Sequence, residues 1–318
     1  MKIFMMKFPA KSKFGGETTF LWFGWKDLED IILNPLNEEW YYNLSREHKE
    51  KIEEKRKGIE EKGGWDAPKW RTEKVYEKVI QGVEKLVVDV SPIYYSYHIG
   101  LRDERNKPLD FYANPITINA VQETTDGKIL LARRGKLSDQ KGLCLVGSGF
   151  IERSESEGEL LLPEKVGYTV LTECIEETEY PKRKAIFNMS YARAMAVVFG
   201  SNHDSTFSVY MPLLVDSSEV ALKGGGEHDD LLPLPSSPED IQDVIRQRGY
   251  KGILANDHML GSLEAYLYNR NNIVNLRKEM NLKTYGKRTF KEKIKEKVGE
   301  FVRGQPNYFN PEEEKEGL

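Results

Sequence analysis

Cysteine is almost missing from this chain of 318 residues: only Cys144 and Cys174 occur, thirty positions apart. That interval offers neither a disulfide framework nor the paired short spacings of a cysteine zinc site. Histidine is nearly as scarce, and His98, His203, His228 and His258 show no metal-ligand spacing. They read as scattered core or surface residues. No apolar run approaches the roughly 18 residues of a membrane span, and Lys7 interrupts the opening stretch before a signal-type apolar region can form. A cytoplasmic protein without a membrane partner is expected. An excess of one charge is also lacking, with 47 Lys+Arg against 51 Asp+Glu and a formal net charge of -4. This balance argues against nucleic acid as a partner gripped by the whole surface. A phosphate-bearing ligand would need local help from a metal or a few basic side chains. What is present, 39% hydrophobic and 11% aromatic residues, supplies a sizeable core and excludes a disordered chain.

Composition shifts along the chain suggest three regions. Residues 1–113 hold an aromatic-rich α+β domain in which 46–62, rich in Glu and Lys at helical spacing, reads as a solvated helix closed by Gly63-Gly64. A second helical pattern covers 72–85, and the Val-, Ile- and Tyr-rich stretch 86–98 reads as one or two strands around Pro92. Residues 114–270 open with a hairpin, 116–122 and 128–133 around Asp126-Gly127. An apolar run, 143–146, leads into Gly147-Ser148-Gly149. A helix over 164–179 and strands over 192–199 and 207–215 follow. Residues 217–238 read as a long loop, and 238–248 and 261–278 as helices. The last region, 271–318, is a charged helical tail. Strands, helix, then strands imply an α/β (α+β) fold with a mixed sheet covered by helices.

The segment Thr172-Glu173-Cys174-Ile175-Glu176-Glu177-Thr178-Glu179-Tyr180 carries the chemistry. At about 100° per residue, Glu173, Glu176 and Glu177 share one arc, while Leu171, Cys174, Ile175 and Thr178 occupy the other side. None of the three carboxylates has Lys or Arg three or four positions away to relieve the repulsion. Water or a bound hard cation must compensate, and hard cations take oxygen ligands.

Strand, glycine turn and carboxylate helix together resemble the Nudix box, G-x5-E-x7-R-E-U-x-E-E-x-G-U, with U a bulky apolar residue. Its helical half aligns with Glu173, Cys174, Glu176, Glu177 and Tyr180. Its first half fits in two registers. Gly149 with Glu155 keeps the strand-to-loop context and needs nine extra residues before the helix; Gly158 with Glu164 keeps the spacing and loses the context. The first is preferred. Thr172 stands where the family has Arg, and Glu179 where it has Gly, with Arg153 or Lys165 as replacement cations. Gly100-Leu101-Arg102-Asp103, Arg133-Arg134 and the lengthened box also resemble two-domain members of the family that hydrolyse UDP-glucose and UDP-galactose.

The resemblance implies a Nudix-type α/β/α sandwich with a mixed sheet, preceded by the smaller N-terminal domain. It implies a diphosphatase that uses Mg²⁺ or Mn²⁺ to cleave a small-molecule nucleoside diphosphate derivative, such as a nucleotide sugar or an ADP-ribose-like compound, to a nucleoside monophosphate and a phosphorylated product. Metal ligands would be Glu173, Glu176, Glu177 and Gly149 through its carbonyl; Glu176, Glu177 or Glu155 would be catalytic; Arg102, Arg133 and Arg134 would hold phosphates. Glu219, Glu227 and Asp229 are further candidates for the base. The N-terminal domain would shape the pocket or form a homodimer surface. Two alternatives stay open: a catalytically silent module on the same fold that binds nucleotide or protein, and an isomerase or RNA-end-processing enzyme, which only the basic tail favours.

Overall fold

The computed structural model describes residues 10–12, 18–36, 40–104, 107, 109–136, 141–151, 163–180, 182–223 and 227–284. Arg153, Glu155, Gly158, the side chain of Glu164 and the tail after 284 lie outside the described residues.

The chain opens with β1 (Ala10–Lys11), β2 (Thr19–Asp27) and β3 (Ile31–Pro35), followed by α1 (Arg46–Glu61). Ser45 caps α1 by accepting from the His48 N–H, and Gly63 ends it at φ 70°. Only Ile52 is fully buried, so this helix is the solvated face that its charge pattern predicts.

The expected helix over 72–85 is instead part of a hairpin, β4 (Pro68–Ile80) and β5 (Val83–Tyr94). Gln81 and Gly82 both have positive φ, 53° and 80°, the backbone of a two-residue primed turn that matches strand twist. Val75, Val79 and Ile80 suit a strand, and β5 gains a parallel partner in β3, with Ile31 opposite Leu86. Distant pairing therefore overrides the local Glu/Lys spacing. After β5 the chain turns into α2 (Tyr95–Leu101), where the Asp66 carboxylate accepts from the Ser96 N–H at 2.8 Å.

The hairpin of β6 (Ile116–Glu123) and β7 (Lys128–Arg134) forms at the expected turn, yet its strands pair only at Glu123 and Ile129. They then part. Into the gap run β8 (Leu143–Leu145), which pairs with β7, and β9 (Ser148–Phe150), which pairs with β6. The glycine segment thus turns inside the sheet, not at its rim.

Next come α3 (Pro163–Glu177), α4 (Lys182–Met189), β10 (Arg193–Phe199), β11 (Ser205–Pro212) and β12 (His228–Pro235). The last of these corrects the loop expected over 217–238. As the edge strand beside β7, it accommodates Pro233 and Pro235, which lack the N–H that a central strand would need. Then follow α5 (Pro238–Gln247), the ribbon β13 (Gly249–Tyr250) and β14 (Ile253–Leu254), α6 (Asp257–Tyr268) and α7 (Arg270–Thr284). Asn269 separates the last two helices, where one continuous helix is expected from the sequence.

The main sheet has the order β1-β2-β10-β11-β6-β7-β12, with β6 and β11 parallel. One face packs Ile116, Ile118 and Ala120 against Val170 and Cys174 of α3 and against the three-stranded sheet β3-β5-β4. The other packs Val121, Val198 and Tyr210 against α5, α6 and α7. The result is a mixed α/β sandwich. Its sheet reaches beyond 114–270, because β2 pairs with β10. Its core reaches further along the chain too, with Ile273, Leu276 and Met280 of α7 buried.

Candidate functional site

The buried side of α3 fixes where its carboxylates point. Cys174 faces the sheet and donates its thiol hydrogen to the Gln122 Oε1 at 3.7 Å, while Gln122 Nε2 donates to the Val146 carbonyl at 2.9 Å. Gly147 is held in between at φ 79°, and a β-carbon there would lie 2.5 Å from Gln122 Nε2. Only glycine meets both demands.

Against this turn lie two of the three glutamates, one helical turn apart. Glu177, 7% exposed, accepts from the Gly147 N–H at 2.5 Å. Glu173 is half-buried with its carboxylate directly over Gly149, so that a β-carbon at 149 would collide with it. Glu176 is exposed. The stripe that looks uniform along the sequence is thus divided by depth.

Nor does Glu177 lack a counter-charge. His228, at the start of β12, places Nε2 3.1 Å from Glu177 Oε2, and its Nδ1 lies 3.8 Å from the Cys144 sulfur. Burial by itself would lower the His228 pKa, but the Cys144 sulfur and the Glu177 carboxylate together raise it to about 10. The ring is therefore an imidazolium at neutral pH. Sequence spacing along the helix could not reveal this partner, because it arrives from the edge strand 51 residues later.

The arginines expected to clamp phosphate fare differently. Arg133 makes ion pairs across the sheet edge with Asp230 at 2.6 Å and Asp229 at 3.8 Å, so its charge and that of Asp229 are already engaged. Arg134 follows at the end of β7, facing His228 across the ladder. Arg102 closes α2, its N–H donating to the His98 carbonyl at 2.9 Å. Glu219 completes a capping box with Asp216. The other histidines are not scattered: His258 Nε2 is 2.5 Å from the buried Asp204, His203 stacks on Tyr112 at 3.5 Å, and His98 feels the charge of Asp204.

Glu173 and Glu177 offer hard carboxylate oxygens, the donor type that Mg²⁺ and Mn²⁺ prefer. Among the described residues no three His, Cys, Asp or Glu side chains converge closely enough to hold a metal ion. Two carboxylates fit an ion that would keep several waters, as Mg²⁺ commonly does. A closed protein cage is not what these residues form. Among the described residues no helix is long and apolar enough to cross a membrane.

Fold and site together define a mixed α/β sandwich that presents two carboxylates of one helix to a glycine turn set within its sheet. No family model and no curated protein sequence matches the chain. Among solved structures it is similar to a MutT protein from Methanosarcina mazei Go1, with 15% identity over 49% of this chain and 94% of that one, at a TM-score of 0.31. It is also similar to a bifunctional NMN adenylyltransferase/ADP-ribose pyrophosphatase from Francisella tularensis, solved with AMP and a manganese ion. That match has 14% identity over 57% of this chain and 45% of the other, at a TM-score of 0.32. The ORF135 protein of E. coli matches with 18% identity over 49% of this chain and 89% of its own, at a TM-score of 0.24.

Proposed function

We propose that the chain is a divalent-metal-dependent hydrolase of the Nudix type that cleaves the diphosphate of a nucleoside diphosphate joined to a second group, such as a sugar or a ribose. The observation that carries the reading is the seating of Glu173 and Glu177 against the Gly147–Gly149 turn, where the box resemblance requires carboxylates. Glu173 and Glu177 would hold a Mg²⁺ or Mn²⁺ ion, which would supply charge neutralisation at the diphosphate and a water of lowered pKa. Glu176, exposed on the same helix, accepts the proton of the attacking water, a role open also to Glu155. Arg134 and Arg102 contact phosphate oxygens, and Arg133 stiffens the adjoining sheet edge. The products are a nucleoside monophosphate and a phosphorylated second group.

A second reading, a silent nucleotide-binding module, draws support from one contact. His228 already neutralises Glu177, so the helix does not depend on a metal for charge balance. Turnover of nucleotide sugars and ADP-ribose with Mg²⁺ or Mn²⁺ separates the two, run beside Mn²⁺ binding followed by paramagnetic resonance. The hydrolase reading expects Glu173→Gln and Glu177→Gln to weaken Mn²⁺ binding and each to lower turnover by more than about 100-fold. Nucleotide binding without cleavage of any compound by the wild type would leave the silent module standing.

A further inference from the structure

The seam between the β3-β5-β4 sheet and the central sheet holds a cleft of about 260 Å³. Its walls include Thr72, Glu73 and Lys74 of β4, Asn114, Phe199 at the end of β10, and Ser205 at the start of β11. Thr72 is 5% exposed and Ser205 1%, and neither hydroxyl oxygen has a hydrogen-bond partner among the described residues. One residue further along β11, Thr206 is satisfied by Thr117 at 2.6 Å on the opposite face of the sheet. Two desolvated hydroxyls on one cleft are the kind of cost that a hydrogen-bonding occupant removes.

Charge indicates what that occupant is. Arg71 also borders the cleft, but its guanidinium is consumed: Nε donates to the Tyr112 carbonyl at 3.2 Å, Nη2 to the Asp110 carbonyl at 2.7 Å, Nη1 pairs with Glu73, and the group lies 4.9 Å from the Trp40 ring centroid. Lys74 and Asp110 are both exposed, and with Arg71 and Glu73 the lining holds as many acidic as basic side chains, so the walls carry no cationic excess to select an anion. Hydroxyls that both donate and accept, an amide at Asn114 and an apolar wall at Phe199 suit a ligand with the same mixture. The volume lies just under the roughly 300–1,000 Å³ of pockets for drug-sized ligands, which suits a ligand of about one ring.

We infer that this cleft binds a neutral sugar ring, a pentose or hexose, through Thr72 and Ser205. The cleft also lies near the glycine turn. Ser205 pairs with Ile116 of β6, and the next residue of β6, Thr117, pairs with Phe150, the residue after Gly149, so about two strand spacings, roughly 10 Å, separate Ser205 from the end of that turn. The inference does not depend on diphosphate hydrolysis, since free sugars probe it and a metal or a turnover assay does not.

The test titrates the full chain with ribose, glucose and galactose, and separately with inorganic phosphate, reading amide resonances and calorimetry. At least one sugar is expected to bind in the millimolar range and to shift the Thr72 and Ser205 amides. Thr72→Val and Ser205→Ala should each weaken that binding about tenfold. Because each removes an unpaired buried hydroxyl at little cost in shape, the unfolding temperature should stay level or rise. Sugars that leave both amides unmoved would overturn the inference, as would affinity unchanged in both variants, or phosphate shifting the same resonances in place of sugar. Should a variant fail to fold, the wild-type amide shifts decide.

Discussion

Replacing His228 by Gln isolates the contact that most changes how the acidic helix is understood. The substitution removes an imidazolium 3.1 Å from a carboxylate that stays 7% exposed. At an effective dielectric of about 20, such a pair attracts by about 5 kcal/mol. The His228 pKa is raised from 6.5 to about 10, against the lowering effect of burial, by the Cys144 sulfur and the Glu177 carboxylate together. Stranding one member of a buried pair costs about 3–5 kcal/mol, and that is the expected loss near pH 6. The pH dependence follows from the direction of the rise. Native His228 keeps its proton where the unfolded chain has released it, so the contribution is complete below about pH 6.5 and disappears as the pH climbs through about 10. Denaturant unfolding of wild type and His228→Gln, compared between these limits, cancels the other titrating groups. Equal differences at both ends of the window, or a variant as stable as wild type near pH 6, would refute the reasoning.

Other substitutions probe neighbouring claims. Gly149→Ala places a methyl where the Glu173 carboxylate lies; because that carboxylate is the end of a flexible, half-buried side chain, stability should fall by only about 1 kcal/mol, the low end for added bulk, while Mn²⁺ binding weakens as Glu173 is pushed aside. Unchanged Mn²⁺ affinity would show that the carboxylate's position over the turn is immaterial. Burial depresses His98 to about pKa 4 despite the nearby Asp204, so its contribution is present above about pH 6.5 and is lost as the pH falls toward 4, about 3 kcal/mol in all. His98→Phe, which keeps a ring beside Tyr95 and Phe150, should flatten acid unfolding over that window; an unaltered acid profile would contradict the assignment.

Local chemistry was enough to place several elements. The Ser45 cap and Gly63 stop delimit α1, and Asp126-Gly127 marks the β6–β7 turn. Cys174 and the apolar side of α3 were legible from helical period, since burial of one face follows from spacing alone. The 72–85 segment failed that test because its Glu/Lys pairs satisfy a helix locally, while Gln81-Gly82 and the parallel partner β3 favour strands. β12 was hidden by its prolines, which an edge strand tolerates and a central one does not.

Sequence by itself determined that one helix would carry acid on one side and apolar residues on the other, and that a glycine turn would precede it. Those properties depend on residues a few positions apart. Only the tertiary structure decided which carboxylates meet that turn, because β6 and β7 part to admit β8 and β9 between them. It alone brought His228 to Glu177, and Thr72 to a shared cleft with Ser205. Contacts between residues far apart in the chain depend on sheet order and packing, and neither has a period that can be counted along a strand or a helix.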